Sequence, residues 1–162
     1  MSLMNLKPKK VKKTTPNVKI GTDLEKKVCD ILTGYGFWST NIKNGIEGQP
    51  CDIIACHGLL VLMLDCKHLE KGTRFDFKNI RDNQYTCFSN AYARNNIKET
   101  GFVIACEENQ KLYYLPFTLV KKIQEIGMVS SIHVDQLPLF NVKMGERREL
   151  YEYYDRFENN NK

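Results

Sequence analysis

The run Leu59-Leu60-Val61-Leu62-Met63-Leu64-Asp65-Cys66-Lys67 constrains this chain most. Its first six residues are apolar without a break, so it has no polar side to give to solvent. It is also far too short to cross a membrane, and the remaining solution is a central strand covered on both faces, over residues 59–67. A second apolar strand is expected over residues 51–56, joined to the first by a tight turn at His57-Gly58, with Gly48 and Pro50 marking its start. The central strand ends in Asp65-Cys66-Lys67. Side chains two apart on a strand share a face, so the carboxylate and the ammonium lie together. Burying a carboxylate costs several kcal/mol unless it is paired or holds a metal. An Asp65–Lys67 ion pair and a ligand site both meet that demand.

With 162 residues, 42% of them hydrophobic, the chain suits a single domain with a real core. The net charge of +5 is unevenly placed. Residues 1–20 hold Lys7, Lys9, Lys10, Lys12, Lys13 and Lys19 and no acid, a charge of +6, which leaves the body at −1. Residues 1–20 are therefore read as a basic, disordered arm and residues 21–162 as the domain. A polybasic arm without an amphipathic apolar face suits nucleic acid better than a membrane surface, although it could serve only to solubilise the terminus. There is no apolar stretch of signal-peptide type, and none of the six cysteines forms a C-x-x-C pair. Reduced core thiols and a cytoplasmic location are expected. A zinc site from Cys51, Cys56, His57 and Cys66 fits no standard ligand spacing.

In chain order, Thr22-Asp23-Leu24-Glu25 has the form of a capping box and places a helix start near Thr22, with Gly34 as its stop. Leu24, Val28, Ile31, Leu32 and Tyr35 form its apolar stripe. Glu25 either completes the cap or reaches over the sheet. A strand is expected within residues 35–42. After Lys67 a polar loop carries His68, Glu70, Lys71 and Arg74, and Phe75 and Phe77 anchor it to the core. A helix over residues 78–95 turns Ile80, Gln84, Cys87, Phe88 and Ala91 inward. Gln84 is a polar amide in that stripe and needs backbone or site partners. Residues 101–106 and 111–116 read as a hairpin, and residues 117–126 as a helix ended by Gly127. Residues 146–157 read as a helix with Leu150, Tyr153, Tyr154 and Phe157 on its apolar side. The order α-β-β-β-α-β-β-α describes an α/β (α+β) domain on a mixed sheet.

Asp52 and Asp65-x-Lys67 thus stand on adjacent strands, with Glu25 on the helix before them and Gln84 on the helix after. This set resembles the PD-(D/E)xK nuclease site, and the fold it implies is a restriction-endonuclease-like mixed sheet flanked by helices. The chain resembles RecU-type Holliday junction resolvases more closely. The likeness runs through Leu64-Asp65-Cys66-Lys67, Gly72-Thr73-Arg74-Phe75-Asp76-Phe77-Lys78-Asn79-Ile80, Asn83-Gln84, Phe102-Val103-Ile104 and Leu112-Tyr113-Tyr114-Leu115. It departs in having Asp65 where that family usually has Glu, and in having only Lys43 to Cys51 where the family inserts a junction-entering stalk.

The resemblance implies hydrolysis of DNA phosphodiesters with Mg²⁺, or Mn²⁺ in its place. Asp52, Asp65 and the Cys66 carbonyl would be ligands, and Lys67 would orient the attacking water or offset charge in the transition state. Glu25 would position water from outside the ligand set, and Gln84 would fix a water or phosphate. The expected substrate is branched DNA such as a four-way junction, cut by a homodimer during recombination or repair. Another branched or duplex DNA substrate, or a DNA-binding protein that does not cut, are the alternatives. Lys9, Lys10, Lys12 and Lys13 of the arm, with Lys71 and Arg74 near the site, are the candidate phosphate contacts.

If four to six arm lysines meet phosphates, log K for duplex DNA should fall with log salt more steeply, by about 4–5, than in a truncated protein, at ~0.9 per phosphate. Truncation should weaken all DNA forms alike and leave any cut position unchanged. Equal binding of the two proteins at low salt would make the arm a bystander.

Overall fold

Residues 60–67 lie at the centre of the sheet, as their apolarity predicts, whereas Leu59, expected to start the strand, stands in the turn before it and is 89% exposed. The computed structural model describes residues 16–42, 49, 51–94, 99–127 and 129–140. In chain order these form α1 (Pro16–Gly34), β1 (Trp38–Asn41), β2 (Ile53–His57), β3 (Leu60–Leu69), β4 (Arg74–Asp76), α2 (Asp82–Ala93), β5 (Glu99–Cys106), β6 (Lys111–Pro116), α3 (Phe117–Ile126) and β7 (Ser131–His133). Short 3-10 turns cover Phe77–Asn79 and Val134–Gln136. The main sheet has the order β1-β2-β3-β5-β6, and β4 pairs with β7 in a small second sheet. Only β3 and β5 run parallel, and the other main-sheet pairs are antiparallel.

Alternation along β3 sorts its side chains into two cores. Leu62 and Leu64 pack with Leu24, Val28 and Leu32 of α1, together with Ile53, Ala55 and Val103. Met63, on the opposite face, joins Phe88 of α2, Phe102 and Ile104 of β5, and Phe117, Val120 and Ile123 of α3. Each face of the sheet is therefore covered by helix, which is why β3 needs no polar side. The parallel pair among antiparallel neighbours and the helices on both faces give the α/β (α+β) mixed sheet flanked by helices that the sequence predicts.

Several boundaries differ from those expectations. α1 begins at Pro16 rather than near Thr22, so Thr22-Asp23-Leu24-Glu25 lies inside the helix and is no cap. Pro at a first helical position loses no hydrogen bond, and a single Gly21 costs only about 1 kcal/mol relative to Ala. Residues 16–20 are thereby helical, and a truncation that tests the arm must stop at Thr15 to leave α1 whole. The hairpin turn is Gly58-Leu59, with His57 opposite Leu60 and Gly58 at φ +56°, a conformation that favours glycine. The helix expected over residues 78–95 divides into the turn at Phe77–Asn79 and α2. Phe75 and Phe77 are buried, as their anchoring role requires. α3 and its stop at Gly127, φ +68°, fall where the sequence puts them. Residues 146–157, and with them Leu150, Tyr153, Tyr154 and Phe157, lie outside the described residues. So do Lys9, Lys10, Lys12 and Lys13.

Candidate active site

The site forms where β2 parts from β3. Their ladder ends at Ile53 opposite Leu64. One residue earlier the Asp52 N–H still donates to the Leu64 carbonyl at 3.0 Å, and the Asp52 carbonyl accepts from the Ile42 N–H at 2.8 Å. Before that point the chain leaves β3, while β3 continues against β5 as far as Leu69 opposite Cys106. Asp65 and Lys67 are therefore well inside a strand, not at its end as the sequence reading had them. On the β2 side, the edge of β3 beyond Leu64 is taken over by a side chain. Asp52 Oδ2 accepts the Cys66 N–H at 2.7 Å. A residue's N–H and C=O point to the same side of its strand, so the Cys66 carbonyl also faces this fork.

Asp65 is 2% exposed on the α2 side of the sheet. Its Oδ2 lies 2.8 Å from Lys67 Nζ. That contact compensates charge, but no directed hydrogen bond completes this buried oxygen. Its Oδ1 accepts from Gln84 Nε2. Gln84 Oε1 in turn accepts from Lys67 Nζ at 2.8 Å and from the Arg81 backbone N–H at 3.1 Å. The buried amide thus does both things open to it, capping the start of α2 and serving the site. Lys67 also sits over the Phe102 ring, 5.9 Å from its centroid.

Burial raises the Asp65 pKa from its ordinary 3.8 to about 7, and the neighbouring Asp52 carboxylate adds to the rise. Lys67 opposes both and does not win. Burial also pushes the Cys66 thiol well up, helped by Asp52, Asp65, Glu25 and Cys29. Cys66 consequently offers a backbone carbonyl here rather than a thiolate.

Glu25, in the interior of α1, accepts from Asn41 Nδ2 at the end of β1. It is near enough to Cys66 to raise that thiol, so it flanks the fork from the α1 side of the sheet. Lys71 is exposed beyond β3. Arg74, exposed on β4, is held by Ser131 Oγ at 3.1 and 3.3 Å through its Nη2 and Nε. The structure thus brings together Asp52, Asp65, Cys66, Lys67 and Gln84. Glu25 sits at their flank, and Lys71 and Arg74 lie on the loop and strand that follow. Asn41 and Gln49 were given no role in the sequence, and Asn83 entered only as the neighbour of Gln84. Gln49 Nε2 donates to Asp52 Oδ1 at 3.1 Å, and Asn83 Nδ2 to the Gln49 carbonyl at 3.3 Å. The available signal was a pair of amides, one three residues before Asp52 and one beside Gln84.

Among the described residues no three His, Cys, Asp or Glu side chains form a metal cluster, and all six cysteines are unpaired. The fork nevertheless suits a hard cation. It offers two carboxylates and a carbonyl, all oxygen donors, and one buried carboxylate oxygen that its lysine leaves incompletely satisfied. Mg²⁺ commonly takes only one or two carboxylates and keeps water for the rest.

No family profile matches the chain, and no curated protein matches it. Among solved structures, a similar chain is Archaeoglobus fulgidus Hjc, a Holliday junction resolvase from an archaeal hyperthermophile. It is 16% identical, with 61% of this chain and 74% of that chain covered, at a TM-score of 0.49. So partial an overlap assigns no activity. The fold and fork by themselves define a mixed α/β domain with a carboxylate pair and a lysine at the centre of its sheet. Among the described residues, no helix is long and apolar enough to cross a membrane.

Since the folded-state pKa of Asp65 is raised above 3.8, its stabilising effect is complete below about pH 4 and is lost as pH rises through about 7. Metal-free Asp65→Asn should therefore be more stable than wild type at pH 8, by about 4 kcal/mol as an upper bound, and should match it near pH 4. Melting curves at the two pH values check this. A variant less stable at both would make Asp65 a structural ion-pair partner.

Proposed function

We propose that this protein is a metal-dependent DNA endonuclease of the PD-(D/E)xK type, most like the RecU-type Holliday junction resolvases. The observation that carries the reading is the fork itself, where Asp52 and Asp65 meet beside Lys67 with Gln84 bridging the last two. Two carboxylates drawn to one fork, one of them buried in the central strand and the other half-buried beside it, destabilise the fold unless they are paired or serve a ligand.

Asp52, Asp65 and the Cys66 carbonyl would hold Mg²⁺, or Mn²⁺ in its place. When bound, the cation supplies a Lewis acid for the phosphoryl oxygen and lowers the pKa of water. The rest of the work belongs to the chain. The Lys67 ammonium, held by Asp65 and Gln84, would orient the attacking water or offset charge on a phosphoryl oxygen, with Gln84 Oε1 fixing its direction. Glu25, oriented by Asn41, holds water at the α1 side of the fork. Water adds to phosphorus and gives up a proton to solvent, the bond to the leaving sugar oxygen breaks, and that oxygen takes a proton from solvent water.

Lys71 and Arg74 fit contacts to the local phosphate backbone, since both are exposed and Arg74 is braced by Ser131. Four-way junction DNA is the proposed substrate and a symmetric homodimer the proposed working form, since paired cuts in a two-fold substrate need two sites. The unpaired thiols accord with work in a reducing compartment such as the cytoplasm.

Labelled four-way, flap and linear DNA with Mg²⁺ supply the test. Wild type should cut the branched forms, and Asp65→Asn should lose about 100-fold or more of the rate while binding DNA at least as tightly. Equal cleavage by both proteins would end the metal-ligand assignment. DNA binding without cleavage by wild type would favour a non-cutting protein on the same scaffold.

A further inference from the structure

We propose that Gln49 is a positioning residue for Asp52 and that Asn83 holds Gln49 in place. This inference rests on the nuclease reading of the fork. The two oxygens of Asp52 meet different donors. Oδ2 takes the Cys66 N–H at 2.7 Å, and Oδ1 takes Gln49 Nε2 at 3.1 Å. Together these fix the plane of the carboxylate, which one bond alone would leave free to rotate about its Cβ–Cγ axis.

Asp65 meets the same kind of group, the Gln84 amide. Each carboxylate of the pair is thus gripped by a glutamine N–H donor. The two grips are joined, because Asn83 Nδ2 donates to the Gln49 carbonyl at 3.3 Å and Asn83 precedes Gln84 in α2. The segment before β2 and the first turn of α2 are tied together through these amides. Their spacing therefore sets the distance between two carboxylates that repel each other. Neutral amides suit this task, since they donate to a carboxylate without competing as cations for it. Partners of this kind, bonded to a ligand from outside its coordination shell, typically change metal affinity by 10- to 100-fold when removed.

The test is a Mg²⁺ titration of wild type, Gln49→Ala and Asn83→Ala, read by thermal shift and, separately, by cleavage rate. Asn83 is exposed, so its variant carries little folding risk. Gln49→Ala should need about 10-fold more Mg²⁺ for half of the full thermal shift, and the same excess for half-maximal cleavage. Its rate at saturating Mg²⁺ should fall much less, and its metal-free melting temperature should stay near that of wild type. Asn83→Ala should move the same way by a smaller factor. A Gln49→Ala protein with a lowered metal-free melting temperature and unchanged Mg²⁺ dependence would overturn the inference, leaving Gln49 a structural contact and the nuclease reading intact. A wild type that shows neither a Mg²⁺ shift nor cleavage would overturn the nuclease reading and this inference with it.

Discussion

A carboxylate almost wholly removed from water, in the middle of the central strand, is the constraint on which the rest of this site depends. Asp65 and Lys67 could be exchanged together for apolar residues of similar volume, often at no cost in stability, so packing alone does not call for Asp65 here. The chain instead surrounds it with Lys67, Gln84 and a second carboxylate, Asp52. Lysine and glutamine lessen the cost. Asp52 increases it. A purely structural ion pair has no use for that second acid, whereas a cation site does.

The backbone makes the arrangement possible. Were β2 to stay paired with β3 for two more residues, the Cys66 N–H and carbonyl would be spent on ladder bonds. Because β2 leaves at Ile53, the Asp52 side chain can take the Cys66 N–H, and the carbonyl is turned toward the same gap. On the other edge β5 keeps β3 straight as far as Leu69, so Asp65 and Lys67 hold one face with little freedom. That face is roofed by α2, whose first turn brings Gln84 into the gap. One helix on each side of the sheet thus contributes a polar group to the fork, Glu25 from α1 and Gln84 from α2.

Much of this was legible in the sequence, and for identifiable reasons. An unbroken apolar run has one common solution, so β3 and its central place were readable. The two-residue spacing of Asp65 and Lys67 put them on one face without further information. α3 was readable to the residue because Pro116 and Gly127 bracket it. The start of α1 was not, because Thr22-x-x-Glu25 imitates a cap while nothing between Pro16 and Thr22 stops a helix. β4 and β7 escaped notice because three-residue strands carry no pattern of their own, and Arg74 meets His133 only through the fold. The roles of the Asn41, Gln49 and Asn83 amides were hidden for a related reason. An isolated Asn or Gln is ordinary on a surface, and only its partner gives it meaning.

The proposed reaction requires Asp52 and Asp65 to share one divalent cation beside the Cys66 carbonyl. Crystals of the full chain grown with Mn²⁺ would test it most directly through an anomalous difference map. A single strong peak is expected within ligand distance of both carboxylates and that carbonyl, with Lys67 Nζ moved off Asp65 and still on Gln84. A map without a peak at the fork, with Lys67 remaining on Asp65 at saturating Mn²⁺, would contradict it.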